Sequence, residues 1–314
     1  MPSRESDHLS SIINQSSNSA RISVVIVNYN TCELLKQCLE SLNQFEPQAE
    51  VFVVDNASRD GSEAMVRENF HSVQVIQSGR NAGFAAANNL GIAHSTGEYL
   101  ILLNSDTQME DSALTATADW MDANPCVGAT SPGLIGTNNE RQECQYPWPN
   151  ARDLWRQALK LGDSSQNATT GWLAGTCLVL RRVALDQSGG QLDEKYWMYW
   201  EDADLSFQIA SKGWLVVPFE GATIRHHGGA SGGGADANRR ADLHGWYLYG
   251  KYRWFRKNAG LAAVISVCLL DALDLPRKWM RSLRHPDRTA ELTHARVQAS
   301  ALWNYFRGRR PNVP

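Results

Sequence analysis

The chain has no Gly-rich turn after its first apolar run and no Gly-rich loop followed by Lys-Ser or Lys-Thr. It also has no CxxC pair and no apolar stretch of membrane-spanning length. The first absence excludes a dinucleotide fold in which backbone amides approach a pyrophosphate. The second excludes a P-loop. The phosphates of any bound nucleotide must then be neutralised in another way, and a divalent cation with oxygen ligands is the direct one. Six scattered cysteines in 314 residues form no disulfide framework, so free thiols in a reducing cytosol are expected. The longest apolar run, "AGLAAVISVCLL" (Ala259–Leu270), falls short of the roughly 20 residues a spanning helix needs. Residues 1–20 are polar and Ser-rich without a signal core, and are expected to form a disordered leader. The "NAT" acceptor pattern at Asn167 therefore lacks secretory context.

What is present reads as an ordinary globule, 43% apolar and 20% charged. The net charge of −3 gives the whole molecule no bias toward polyanions. That charge is unevenly placed. From Lys251 to Pro314 there are 13 Lys and Arg against 4 Asp and Glu, leaving the first 250 residues with 17 against 29. A basic tail on an acidic body points to an anionic surface as the tail's partner.

Strand and helix signals alternate through the first 130 residues. "ISVVIVNY", "EVFVVDN", "VQVIQS" and "YLILLN" are apolar runs without polar alternation, separated by stretches of helical period. The pattern predicts a parallel sheet covered on both faces. Ligands of such sheets bind beyond the carboxyl ends of the strands. Those ends here are Asn28-Tyr29-Asn30, Asp55-Asn56, Ser78-Arg80-Asn81 and Asn104-Ser105-Asp106, all polar. Further on, a strand is expected over Trp172–Leu180 and a helix from about Asp202 to Ser211. No internal repeat is present, and a hinge between Gly228 and Asp242 is the best domain boundary.

Three clusters can carry chemistry. Asp106 follows a strand end, with Asn104 two residues earlier on the same side of an extended chain. One carboxylate and one amide can hold Mg²⁺ or Mn²⁺ while diphosphate oxygens complete the shell. The plainer alternative is that Asp106 and Thr107 cap the next helix. In "YWEDADL", Glu201, Asp202 and Asp204 follow four aromatics. A carboxylate in an aromatic pocket is desolvated, its pKa rises, and it becomes fit to accept a proton. Acids placed at a helix's positive end are the alternative. "RHHGGAS" offers imidazole beside two glycines, as a metal ligand or as an ordinary polar loop.

Seven pieces, "VVIVNYN", "VVDNASRDGS", "RNAGFAAANNLGI", "YLILLNSDT", "WLAGTCLVLRR", "YWMYWEDADLSFQIASKGW" and "RHHGGAS", stand in one order and spacing. Together, over about Arg21 to Ser231, they resemble the family 2 glycosyltransferases of bacterial cell-envelope polysaccharide synthesis, most of all the rhamnosyltransferase-like branch. The resemblance implies an α/β GT-A fold, a mainly parallel sheet flanked by helices. Over 21–235 this would be the catalytic domain, followed by a basic helical region over 236–314. It implies an inverting displacement from a nucleotide-sugar donor, favoured as dTDP-rhamnose, with a UDP-sugar such as UDP-galactofuranose or UDP-N-acetylglucosamine as alternative. Val27, Tyr29, Asp55, Asn81, Gly83, Asn104 and Ser105 would line the donor site. Asp106 would hold the Mg²⁺ or Mn²⁺, with His226 rather than His227 as a further ligand. Asn104 departs from the plain DXD motif and leaves Asp106 its only carboxylate. Asp202 would be the general base, with Glu201, Trp172 and Trp200 around the acceptor.

The implied acceptor is a glycan or polyprenyl-linked glycan, with no nucleic acid as partner. The implied location is cytoplasmic, peripheral on the inner face of the membrane. The tail's mixture of Trp, basic and apolar residues fits helices lying on an anionic membrane. The alternatives are packing on the catalytic domain or a homodimer. A nucleotidyltransferase would need a Gly-rich first turn with a basic residue nearby. A non-catalytic sugar-nucleotide-binding member would lose the acid at position 106 or 202, and both acids are retained.

Overall fold

The computed structural model describes residues 20–161, 170–228, 237–282 and 288–311. Residues 1–19 of the expected leader, Asn167 and the stretch 229–236 of the expected hinge lie outside the described residues. The strands in chain order are β1 (Ile22–Asn28), β2 (Glu50–Asp55), β3 (Gln74–Gln77), β4 (Tyr99–Asn104), β5 (Thr107–Gln108), β6 (Val127–Thr130) and β7 (Pro132–Ile135). They continue with β8 (Arg141–Gln142), β9 (Gln145–Pro147), β10 (Gly171–Leu173), β11 (Cys177–Arg181), β12 (Leu215–Val216) and β13 (Phe219–His226).

Seven of these form the central sheet, in the order β12-β6-β11-β4-β1-β2-β3. β1 pairs in parallel with β2 and β4, and β2 with β3. β11 is the departure from the wholly parallel pattern of the first strands, because it runs antiparallel to both β4 and β6. The reason is local. The single strand expected over Trp172–Leu180 is broken at Ala174–Thr176 into β10 and β11. The break lies at the carboxyl end of β4, where the Asn104 amide donates to the Thr176 carbonyl at 2.9 Å. β11 therefore starts where β4 ends and runs back. Its leading turn lies at the sheet edge where ligands bind.

Side chains alternate across the sheet, and both faces are apolar. Val24 and Ile26 of β1 pack with Leu35, Leu39 and Leu42 of the Cys32–Phe45 helix. Val25, Leu100 and Leu102 face the Ala-rich Phe84–His94 helix. That helix lies close to the sheet at Gly91, where a Cβ would meet Val25 Cγ1 at 2.3 Å.

The helix after β5 is Ala113–Ala123, and neither Asp106 nor Thr107 caps it. The buried Glu46 carboxylate does so from a distant turn. It accepts from the Leu114 and Thr115 amides at 2.8 and 3.1 Å. Asp106 is thereby released from the capping alternative.

The tail is helical over Ala237–Trp254, Leu261–Ser282 and Arg288–Phe306, with a π-helical turn at Phe255–Ala259. The first of these helices begins inside the span expected as a hinge. Leu248, Tyr252, Phe255 and Val264 pack against Tyr196 and Ala203 in a third apolar cluster. The π turn presents Lys257 and Asn258 together to Asp204, which is 2% exposed. Lys257 Nζ lies 2.6 Å from one Asp204 oxygen, and Asn258 Nδ2 donates to the other at 2.9 Å. The tail thus neutralises a buried charge on the Glu201–Ser211 helix. Among the described residues no helix is long and apolar enough to cross a membrane. Replacing Lys257 by Met leaves the Asp204 carboxylate buried without its cation. It should lower unfolding free energy by about 1–3 kcal/mol, less than a fully buried pair because Lys257 is partly exposed. Denaturant titration checks this, and an unchanged midpoint would show that the ion pair contributes nothing.

Candidate active site

The carboxyl ends of β1, β2 and β4 are tied together by one buried hydrogen-bond net. The Thr31 hydroxyl donates to Asn28 Oδ1 at 2.7 Å and lies 2.8 Å from the Ser105 hydroxyl. Asn28 Nδ2 donates to Ser58 Oγ at 3.0 Å and to Asp55 Oδ1 at 3.3 Å. Asp55 Oδ2 accepts from the Ser58 amide at 3.1 Å. Asn28, Thr31 and Ser58 were not singled out from sequence as site residues. Their polarity at a strand end was the only signal, and it marks the edge without showing which groups bond to each other.

β3 is joined to the same edge through Asn56. Its Oδ1 accepts from the Ala82 amide at 2.8 Å, and its Nδ2 donates to Asn81 Oδ1 at 3.0 Å. Gly83 follows at φ 87°. A Cβ there would lie 2.2 Å from the Trp197 carbonyl, which accepts from the Phe84 amide at 2.7 Å. Glycine is therefore required, since the Tyr196–Trp200 loop crosses directly above it.

Between this edge and that loop lies a cleft of about 240 Å³. Val27, Tyr29, Asn81, Asn104 and Ser105 line it from the sheet side. Trp197, Tyr199, Glu201 and Asp202 line it from the other. Asp55 and Gly83, expected at the donor site, are not among its lining residues. Trp172 and Trp200 are not among the lining residues. Trp172 stacks on Tyr146, with ring centroids 4.8 Å apart. Trp200 packs among Tyr247, Trp254 and Phe255. Tyr199 takes the exposed position instead. The two aromatics adopt φ values of 69° and 73°, a left-handed turn that no periodicity reveals and that is costly for non-glycine residues.

Asp202 is held by two backbone amides. Its Oδ2 accepts from Gly175 at 3.0 Å and its Oδ1 from Ala203 at 2.8 Å. Burial pushes its carboxyl up to about 6, and these two hydrogen bonds oppose the rise. Glu201, 5% exposed, is pushed well above the usual carboxylate range, first by burial and then by the charge of Asp202. Its Oε2 is buried without a hydrogen-bond partner. Burial thus disfavours the ionised form of both members of this adjacent pair.

Asp106, 4% exposed, lies behind Ser105 and outside the cleft lining. Its Oδ1 is buried without a hydrogen-bond donor and stands 3.4 Å from His226 Nε2. β13 pairs antiparallel with β5, with His226 opposite Thr107, and this register brings the imidazole there. His226 Nδ1 is 2.7 Å from Gln142 Oε1. In the neutral ring with Nδ1 as the donor, Nε2 keeps a lone pair toward the carboxylate, and a cation between them would satisfy both. His227 contributes its backbone amide to the Asp106 carbonyl at 2.9 Å, so His226 is the imidazole that faces Asp106. Among the described residues no group of three or more His, Cys, Asp or Glu side chains is arranged for a metal. Two protein donors fit a cation whose shell diphosphate oxygens would complete.

The profile described as glycosyl transferase family 2 matches residues 23–189. An N-acetylglucosaminyl-diphospho-decaprenol L-rhamnosyltransferase of Mycobacterium tuberculosis (strain CDC 1551 / Oshkosh) is 30% identical over 250 residues, 70% of this chain and 80% of the relative. The O-antigen biosynthesis protein RfbC of Myxococcus xanthus is 26% identical over 254 residues, 74% of this chain and 19% of its own length. Among solved structures, the mannosyltransferase PcManGT from Pyrobaculum calidifontis, in complex with GDP-Man and Mn²⁺, aligns with TM-score 0.54 at 17% identity. That alignment covers 92% of this chain and 88% of the mannosyltransferase. S. aureus TarS 1-349, in complex with UDP-GlcNAc, aligns with TM-score 0.52 at 16% identity over 92% of each chain. These structural likenesses carry the fold, and the profile and the mycobacterial relative carry the family. The chain belongs to glycosyl transferase family 2 and is a glycosyltransferase of the GT-A fold.

Proposed function

We propose that the protein transfers L-rhamnose from dTDP-rhamnose to a lipid-linked sugar acceptor in cell-envelope polysaccharide synthesis, with inversion at the anomeric carbon. One observation carries the chemistry: a half-buried carboxylate, Asp202, faces the cleft opposite the Asn104-Ser105 edge with its pKa raised to about 6. The donor sugar and the lipid-linked acceptor rest on the likeness to the mycobacterial rhamnosyltransferase.

In this reading the nucleoside lies on Val27, Tyr29 and Asn81, and its diphosphate points to Asn104 and Ser105. Asp202 takes the proton from the acceptor hydroxyl as that oxygen bonds to the anomeric carbon and the bond to the nucleoside diphosphate breaks. The Gly175 and Ala203 amides keep the carboxylate aimed and stabilise its ionised form. Burial raises the Glu201 carboxyl beside it as well, which disfavours a second negative charge there. Asp106 and His226 would hold Mg²⁺ or Mn²⁺, which when bound offsets the charge developing on the leaving diphosphate.

In this reading a lipid-linked acceptor would bring the enzyme to the inner face of the membrane. Leu261, Ile265, Leu269 and Leu273 are exposed at four-residue spacing on one tail helix, and Arg277 follows them.

Asp202→Asn should lower kcat by about 10²–10⁴ while donor Kd stays within about twofold. Turnover comparable to wild type would remove Asp202 from the base role. Because the ionised carboxylate is the active form, kcat/KM should rise with pH through about 6 and level off above it. An acid limb nearer the ordinary aspartate value of about 3.9 would contradict a desolvated base. Asp106→Ala should weaken donor binding measured with Mn²⁺ and leave the weaker metal-free binding unchanged. Calorimetry showing the same metal dependence in both proteins would count against Asp106 as ligand. Ile265→Asp with Leu269→Asp should reduce flotation with anionic liposomes, and equal flotation would dismiss the membrane face.

A further inference from the structure

Arg240, Leu243, His244 and Tyr247 recur at the spacing of one helix face. With Tyr199 they line a second cavity, of about 360 Å³. Tyr199 and Leu243 also line the catalytic cleft, so the two cavities adjoin across these side chains. The helix comes this close because Gly250 faces the loop. A Cβ there would lie 2.9 Å from Trp200 Cδ1 and 3.0 Å from the Tyr199 carbonyl. The left-handed Tyr199-Trp200 turn directs its two rings differently. Trp200 is packed against Tyr247, Trp254 and Phe255, whereas Tyr199 is 39% exposed. Tyr247 is 42% exposed, with its ring 6.1 Å from that of Tyr199 and turned by 70°. Two steeply inclined aromatic rings thus border one groove beside the base.

The polar groups of this groove are specific. Arg240 is exposed at one end, and no ion pair to it is found among the described residues. His244 is half-buried, and its Nε2 has no hydrogen-bond partner. Burial, together with His294, Lys278 and Lys251 around it, holds the ring down to about 4 against the opposing charge of Asp271. The imidazole is therefore neutral, with a buried ring nitrogen that no described protein group satisfies. Aromatic faces suit the C–H face of a pyranose, and a guanidinium suits phosphate oxygens.

We propose that this groove is the acceptor subsite and that it takes a glycosyl diphosphate, the sugar against Tyr199 and Tyr247 and the diphosphate toward Arg240. The proposal rests on the reading of Asp202 as base. It replaces Trp172 and Trp200, whose indoles are engaged in packing, by Tyr199 and Tyr247 as the stacking platform.

The test is binding, by calorimetry in the presence of the nucleoside diphosphate, of two probes. One is farnesyl-diphospho-N-acetylglucosamine, and the other is octyl N-acetylglucosaminide, which has no phosphate. Arg240→Met should weaken the diphosphate probe about tenfold and leave the neutral glycoside within about twofold. Arg240→Lys should restore part of the loss. Tyr247→Ala should weaken both probes. Each variant should keep the wild-type nucleotide-sugar affinity, which reports an intact fold. Equal loss of both probes in Arg240→Met, no loss in Tyr247→Ala, or no binding of the diphosphate probe to wild-type protein would each overturn the proposal. Donor binding that survives while the probe fails confines the failure to this groove. Loss of both in the wild type sinks the catalytic reading as well.

Discussion

The Asp202 carboxylate is held by two backbone amides, one from its own helix and one from the Gly175 turn, and much of the site depends on the second. A carboxylate in a largely desolvated position is costly unless hydrogen bonds meet it. The Gly175 amide is available because β11 begins at the carboxyl end of β4 and runs backward. Had the chain continued the parallel pattern of its first strands, the Ala174–Thr176 turn would lie at the other edge of the sheet. The antiparallel strand thus positions the Asp202 carboxylate.

The helix that carries Asp202 is held from behind by the tail. Asp204, two residues on, is buried against Lys257 and Asn258, and Asp193 is paired with Arg253 and Lys257. The tail helices are packed on the catalytic body through these pairs and an apolar cluster. The opposite wall is built differently. There the buried net of Asn28, Thr31, Ser58 and Ser105 ties three strand ends into one rigid edge. The two walls give their acids different partners. Asp202 accepts from two backbone amides, whereas Asp106 has an oxygen oriented toward an imidazole and left without a donor.

Much of the first half was legible because period and composition are local properties. The runs ending at Asn28, Asp55 and Asn104 and the helices between them lie where the apolar pattern places them. The strand expected over Trp172–Leu180 was misjudged because its apolar period continues through Ala174–Thr176, and only pairing with β4 marks the break. The capping of the Ala113–Ala123 helix was equally hidden. Its cap is Glu46, 68 residues before Leu114 in the chain. Trp172 and Trp200 looked suited to sugar stacking as residue types, but an indole can stack only where packing leaves a face open.

By itself the sequence determined that this is an α/β chain with polar strand ends, no Gly-rich phosphate loop and two separate acids at the expected places. Those properties follow from residue type and neighbours along the chain. Only the tertiary structure decided that β11 reverses, how closely the His226 imidazole approaches Asp106, and that Tyr199 rather than Trp200 faces the cleft. Each depends on which distant segment reaches a given atom, and that is set by strand register and close packing, which no local pattern contains.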